Sequence, residues 1–157
     1  MNLTNFVALK GKISIVIEDD TGYKHDILID NTVLDAGRAA LAKSLANDFD
    51  DSYQFYIKAI RFGNGGTAGG VPITVTSNRT GIFGTVVAEK SIISVVNPNL
   101  LSQAVFTTVL KFQEANENIN ELALVMANDS LYSLATFGGI SKTSSMQITF
   151  NWRLSFV

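Results

Sequence analysis

The cleanest pattern in the chain lies at its end. From Ser145 to Val157 the alternate positions Met146, Ile148, Phe150, Trp152, Leu154 and Phe156 are large and apolar. Gln147, Thr149, Asn151, Arg153 and Ser155 fall between them. Successive strand side chains point to opposite faces, so this period of two predicts a β-strand with one buried and one wet face. A helix would scatter the same six residues around its circumference.

Taken in order, the rest of the chain reads largely the same way. Lys12–Glu18 puts Ile13, Ile15 and Ile17 on one face. Asp19-Asp20-Thr21-Gly22 supplies turn chemistry, and Tyr23–Asp30 reads as the return strand of a hairpin. One helix is expected, over about 33–46, with Thr32 as N-cap, Asp35 completing a capping-box-like pair, and Leu34, Leu41, Ala42 and Leu45 as its apolar stripe. Tyr56–Phe62 is a further strand leading into a glycine-rich run, Gly63 to Gly70. Val71–Gly84 reads as a long, partly extended excursion. Phe83, flanked by Gly81 and Gly84, is either a plug into the protein's own core, the preferred reading, or an anchor for a neighbour.

Thr85–Val96 and Leu101–Phe112 read as two long strands around Asn97-Pro98-Asn99, the second with Ala104, Phe106, Thr108, Leu110 and Phe112 on one face. After a turn at Glu114–Asn118, Ile119–Met126 and Leu131–Phe137 are strands around Ala127–Ser130, and Gly138-Gly139 is expected to break the chain. The sum is a mainly β fold: an antiparallel β-sandwich or barrel-like module of about eight strands with one α-helix. Strands never alternate with helices as a parallel sheet requires. Residues 1–157 form a single β-rich domain, with 1–11 as an extended N-terminal arm.

Composition adds to the pattern. The 157 residues are 46% hydrophobic and only 17% charged, and the mean hydropathy is +0.22. That balance suits either a two-layer sheet protein with a Thr/Ser/Asn-rich exterior or a chain whose apolar surface is covered by partners. The net charge is −2. No basic stripe offers the clustered cations a nucleic-acid backbone demands, so nucleic acid is not expected as a partner. No run approaches the roughly 20 apolar residues of a membrane-spanning helix, and the N-terminus lacks a basic region followed by an apolar segment, so neither a membrane partner nor secretion is expected. Cysteine is absent, which excludes disulfide and thiolate chemistry.

Candidate chemistry is thin. Gly63-Asn64-Gly65-Gly66-Thr67-Ala68 formally satisfies a dinucleotide-binding glycine pattern after a strand. That mechanism needs the glycines to open a helix, and Gly69-Gly70-Val71-Pro72 resists one. No Lys-Ser/Thr follows to make a phosphate loop. His25 is the only histidine and is expected on an exposed strand. Asp48, Asp50 and Asp51 lack the glycine and distal glutamate of a calcium loop. Glu114, Glu117 and Glu121 could be imagined as a carboxylate pair for glycoside hydrolysis, but they sit in or near one turn without an aromatic platform. No catalytic, cofactor-binding or metal residue is assigned, and no enzymatic activity is expected.

A resemblance then organises these pieces. Ile29-Asp30-Asn31-Thr32-Val33-Leu34-Asp35-Ala36-Gly37-Arg38 leads into a helix carrying Leu41-Ala42-Lys43-Ser44-Leu45. Ile57-Lys58-Ala59-Ile60-Arg61-Phe62-Gly63-Asn64-Gly65-Gly66-Thr67, then Ile119-Asn120-Glu121-Leu122-Ala123-Leu124, then Thr136-Phe137 with Ile140–Thr143, follow before the closing Ile148–Phe156. In that order they resemble small structural proteins of tailed bacteriophages, found among tail, baseplate, neck and fibre-attachment components. Ala123 stands where such proteins commonly carry Gly. The resemblance implies a non-enzymatic β-rich building block of the virion, made in the host bacterial cytoplasm. It would pack with copies of itself and with other virion structural proteins in the tail, baseplate or neck. A capsid decoration or head-fibre protein, or a carbohydrate-binding module of a receptor-binding fibre using Tyr53, Phe55 and Tyr56, are the alternatives. The segments that fit the core pattern least are expected to reach neighbouring subunits, through Phe6, Gly65, Gly66, Val71, Pro72, Ile73 and Phe83.

Overall fold

The computed structural model describes residues 8–46, 55–97 and 102–157. Phe6, most of the expected N-terminal arm, Asp48–Asp51, Tyr53 and part of the turn at 97–99 lie outside these. Leu9–Gly11, expected within the arm, open the first strand instead.

Twelve strands and one helix are present among the described residues. In chain order they are β1 (Leu9–Asp19), β2 (Lys24–Asp30), β3 (Thr32–Val33), α1 (Asp35–Ala46), β4 (Ile57–Gly63), β5 (Thr67–Ala68), β6 (Val71–Pro72), β7 (Val86–Ser91), β8 (Ser94–Val96), β9 (Gln103–Leu110), β10 (Asn118–Met126), β11 (Leu131–Ser141) and β12 (Met146–Phe156). They make an antiparallel five-stranded sheet ordered β2-β1-β12-β9-β8, a second ordered β3-β11-β10-β4-β7, and a small β5-β6 ribbon. The sequence pattern suggests about eight strands because β3, β5, β6 and β8 are only two or three residues long. Such pieces are too short to show a period. Among the described residues both large sheets keep free edges, so the module is not a closed barrel.

The period-two segments form the floor of the core as expected. β1 and β12 run antiparallel with Ile13 opposite Trp152, Ile15 opposite Phe150 and Ile17 opposite Ile148. Trp152, Phe150 and Ile148 are fully buried, each contributing about 2–3 kcal/mol of apolar burial. The Phe150 ring tilts against Phe62 of the opposite sheet, with centroids 4.8 Å apart.

The second sheet is covered on both sides. Leu122, Leu124 and Met126 of β10 belong to the core between the sheets, while Ala123 and Val125 belong to a smaller cluster on the far face with Leu34, Val75, Ile82 and Phe83. That double cover explains why β10 reads as a near-continuous apolar run. The far-face cover is the excursion after β4, through Val75, Ile82 and Phe83, with Leu34 just before α1, while α1 itself sets Ala36 and Ala40 against the core between the sheets.

The helix departs from the sequence expectation in start and face. Thr32 and Val33 pair with β11, so Thr32 is not the N-cap and α1 begins at Asp35. The residues α1 buries are Gly37 and Ala40, while Leu45 is 82% exposed and Ala42 is exposed. Leu34, just before the helix, is fully buried and Leu41 half-buried as the stripe required, but where α1 comes closest to β11 a Cβ on Gly37 would fall 2.4 Å from the Tyr132 carbonyl oxygen, so only glycine fits there.

Two further expectations change. Gly138-Gly139 does not end a strand; β11 runs through to Ser141, with Gly139 at φ +105° beside an irregularity in the β10 register. The single strand expected over 85–96 is two strands in different sheets. β7 pairs with β4 in one sheet, β8 with β9 in the other. The chain changes sheet at two adjacent residues, with Ile92 N–H donating to Lys58 O (3.0 Å) and Ile93 N–H to Thr107 O (2.9 Å). Thr108, fully buried in β9, fastens the corner by donating its hydroxyl to Ser91 O at 2.8 Å.

Candidate functional site

The most organised polar cluster lies where β10 meets the excursion. Asn120 and Glu121 interrupt an otherwise apolar strand, and both are buried, Glu121 completely. A buried carboxylate must find donors to offset its desolvation. Its donors are backbone N–H groups. Glu121 Oε1 accepts from Gly65 (2.9 Å) and Gly84 (2.8 Å), and Oε2 accepts from Phe83 (2.7 Å). None of the ion pairs among the described residues involves it. Asn120 Oδ1 accepts from Gly66 N–H at 2.6 Å and its Nδ2 donates to Thr67 Oγ1 at 3.1 Å.

The glycine run therefore serves close packing. A Cβ on Gly65 would fall 2.3 Å from the Gly84 nitrogen, and one on Gly66 would fall 2.2 Å from the Asn120 carbonyl oxygen. The two ends of the excursion are in contact, and only hydrogen fits between them.

Other bonds pin the excursion along its length. Thr136 donates to Ile73 O (2.6 Å), Asp35 N–H donates to Ser77 O (2.7 Å), and Asn64 accepts from Thr85 N–H (3.1 Å). Arg79 folds back to donate to Gly81 O (2.8 Å) and Ile82 O (3.0 Å), with its guanidinium 3.5 Å from the centre of the Phe83 ring. The result is a held loop whose tip, at β6, is exposed.

The expected contact residues divide on this frame. Gly66 is buried and Gly65 half-buried, both with amides committed to β10. Val71 and Pro72 are exposed, and Ile73 is half-buried. Phe83 is half-buried against the chain's own second cluster, the environment preferred from sequence.

The remaining candidates are dispersed. His25 is exposed, 6.5 Å from the Tyr23 ring. Glu121 faces the excursion, whereas Glu114 accepts from Lys90 Nζ (2.7 Å) and Lys111 N–H (2.9 Å), so these carboxylates serve separate structural ends. The hydrogen bond from Lys90, with that from Lys111 N–H behind it, holds the Glu114 carboxyl below its usual range. No group of three or more His, Cys, Asp or Glu side chains is placed to hold a metal ion among the described residues.

Lys142 is buried and donates to Asn116 Oδ1 (2.9 Å) and Phe112 O (3.3 Å). Burial pushes its ammonium below the ordinary lysine value, against an opposing pull from Glu114. Phe55, Tyr56, Ile57, Phe106, Tyr132 and Phe156 line an apolar groove of about 230 Å³ at one end of the sandwich.

Sequence reasoning weighed Glu121 only as a reacting acid, set that aside, and gave it no structural role. It missed Asn120, Thr136 and Lys142. The available signal was two adjacent polar residues inside an apolar strand, which marks a buried polar anchor. No protein-family model, curated protein or solved structure matches this chain.

Proposed function

We propose that this chain is a non-enzymatic structural protein of a tailed-bacteriophage virion, packing in the tail, baseplate or neck with copies of itself and with other virion proteins. The ordered motifs from Ile29 to Phe156 support the phage part of this reading. One structural observation supports assembly: large apolar side chains remain on the surface at sheet edges and at the loop tip. Leu28 on β2 is 64% exposed, Val71 is 66%, and Ile93, Val95 and Val96 around β8 are 66%, 57% and 50%. Edges carrying such side chains offer both unpaired backbone groups and area to bury.

The stiffly held excursion suits this role, because a projection fixed before docking loses little conformational freedom on binding. Synthesis in the host cytoplasm and residence in the virion follow from the same reading. Peptide mass spectrometry of purified particles, split into head and tail fractions, tests it. The chain is expected in tail, baseplate or neck material. Recovery in the head fraction alone would favour the decoration or head-fibre alternative, and absence from particles would remove the virion role.

A further inference from the structure

Of the four edges of the two large sheets, β2 is the longest at seven residues, and among the described residues one side of its backbone is unpaired. Asp19 N–H donates to Tyr23 O and Asn31 N–H to Gly11 O, at the two ends of the β1–β2 register. Hydrogen-bonded pairs in an antiparallel ladder recur every second residue. His25, Ile27 and Ile29 therefore turn their backbone groups toward β1, and Lys24, Asp26, Leu28 and Asp30 turn theirs outward.

We propose that β2 is a self-association edge, pairing antiparallel with β2 of a second copy about a two-fold axis through Ile27. This rests on the reading of the chain as an assembling building block and names the surface and register it would use.

Charge selects both the occupant and the register. With Ile27 on the axis, Lys24 faces Asp30 of the second copy, Asp26 faces Leu28, and His25 faces Ile29. Within one chain Lys12 stands opposite Asp30, with 3.7 Å between Nζ and Oδ1, and Glu18 stands opposite Lys24, with 3.6 Å between Oε2 and Nζ. Across the joined strands the row then reads Lys12, Asp30, Lys24, Glu18, alternating in sign over four strands, and the two-fold axis repeats it. The neighbouring registers fail on charge. Centring on Asp26 sets that carboxylate against its own mate, and centring on Leu28 sets Asp26 against Asp30 twice.

Charges on an edge strand usually deter pairing. Here their order deters every long register but one. In that register Leu28 and its mate become diagonal neighbours on the outer face, and Ile27 meets Ile27 on the face shared with Ile13, Ile15 and Ile17. The other edge of useful length, β7, has no such solution. Glu89 and Lys90 have opposite parity and cannot face each other in a regular two-fold pairing, and they are already held by Arg61 and Lys90's partner Glu114.

The absence of cysteine makes the test direct. Single variants Asp26→Cys, Ile27→Cys and Leu28→Cys of the full chain are oxidised mildly and run without reductant. Ile27 would sit in a non-hydrogen-bonded pair with about 4.5 Å between Cα atoms, within disulfide reach. Only Ile27→Cys is expected to form a covalent dimer. Linkage at 26 or 28 instead would overturn the register. In parallel, Lys24→Asp is expected to weaken self-association about tenfold, and reversal of the whole row, Lys24→Asp and Asp30→Lys with Lys12→Glu and Glu18→Lys, to recover it, measured by analytical ultracentrifugation. Self-association of the parent chain with no linkage at any of the three positions and no response to charge reversal overturns the β2 edge and leaves the building-block reading standing. A chain that stays monomeric and is also absent from particles removes both.

Discussion

Replacing Glu121 with Gln keeps the size of the side chain and removes its charge. The amide oxygen can stand in for Oε1 and keep Gly65 and Gly84, but the amide NH₂ then meets the Phe83 N–H donor to donor. Turning the amide over loses the other two bonds instead. At least one bond to a charged acceptor disappears, about 1.5–3 kcal/mol, and the survivors fall to roughly half their strength as neutral pairs. The sum is about 3 kcal/mol. For a chain of this length each kcal/mol moves the thermal midpoint roughly 2–4 °C, so Glu121→Gln should lower it by roughly 6–12 °C. Calorimetry measures the midpoint, and hydrogen exchange locates the loss, since the Gly65, Phe83 and Gly84 amides should exchange faster while the β1–β12 ladder keeps its relative protection. A midpoint within about 1 °C of the parent, with those three amides unchanged, would refute the claim that this carboxylate holds the excursion.

Two further outcomes follow from the packing. Leu45→Glu should change unfolding free energy by under about 0.5 kcal/mol, because the side chain is already 82% exposed. Ala40→Glu, three per cent exposed in the parent, should cost several times more, and urea titration followed by fluorescence of Trp152 separates the two. Lys142→Met should show a difference from the parent that depends on alkaline pH. Burial lowers the Lys142 ammonium below its ordinary value of 10.5, so between the folded value and 10.5 the unfolded chain binds more protons. The parent should therefore gain stability relative to the variant as pH climbs toward 10.5 and level off above it. The opposite slope in paired urea titrations would overturn the assignment of Lys142 as a buried, desolvated cation.

The readable parts of the fold were those where one physical requirement acts alone. β12 faces core on one side and solvent on the other, so its alternation is undiluted, and the β1–β2 hairpin carries its turn residues openly. The helix face was misjudged because hydrophobic spacing ranks leucine above alanine, whereas close approach to Tyr132 ranks size first. Gly37 takes the sheet-facing position for that reason, while Leu45 is left exposed. The split of 85–96 into β7 and β8 leaves no mark in the sequence, since both pieces are β-prone and the change of sheet depends on carbonyls at Lys58 and Thr107. Glu121 could be noticed but not interpreted. Its partners are backbone amides from Gly65, Phe83 and Gly84, up to 56 positions away, and a backbone amide has no letter.

The corner at Ile92–Ile93 carries a mechanical consequence. Consecutive amides of one chain are anchored in opposing layers, so a single peptide step rivets the two sheets along that flank. Shear of one layer over the other would have to tear one of those two anchors or twist the backbone at that step. The opposite flank carries the same device, since Asn31 alone separates β2 of one sheet from β3 of the other, with its N–H on Gly11 O and Thr32 paired to Leu134, so sliding of the layers meets a covalent crossing on both sides.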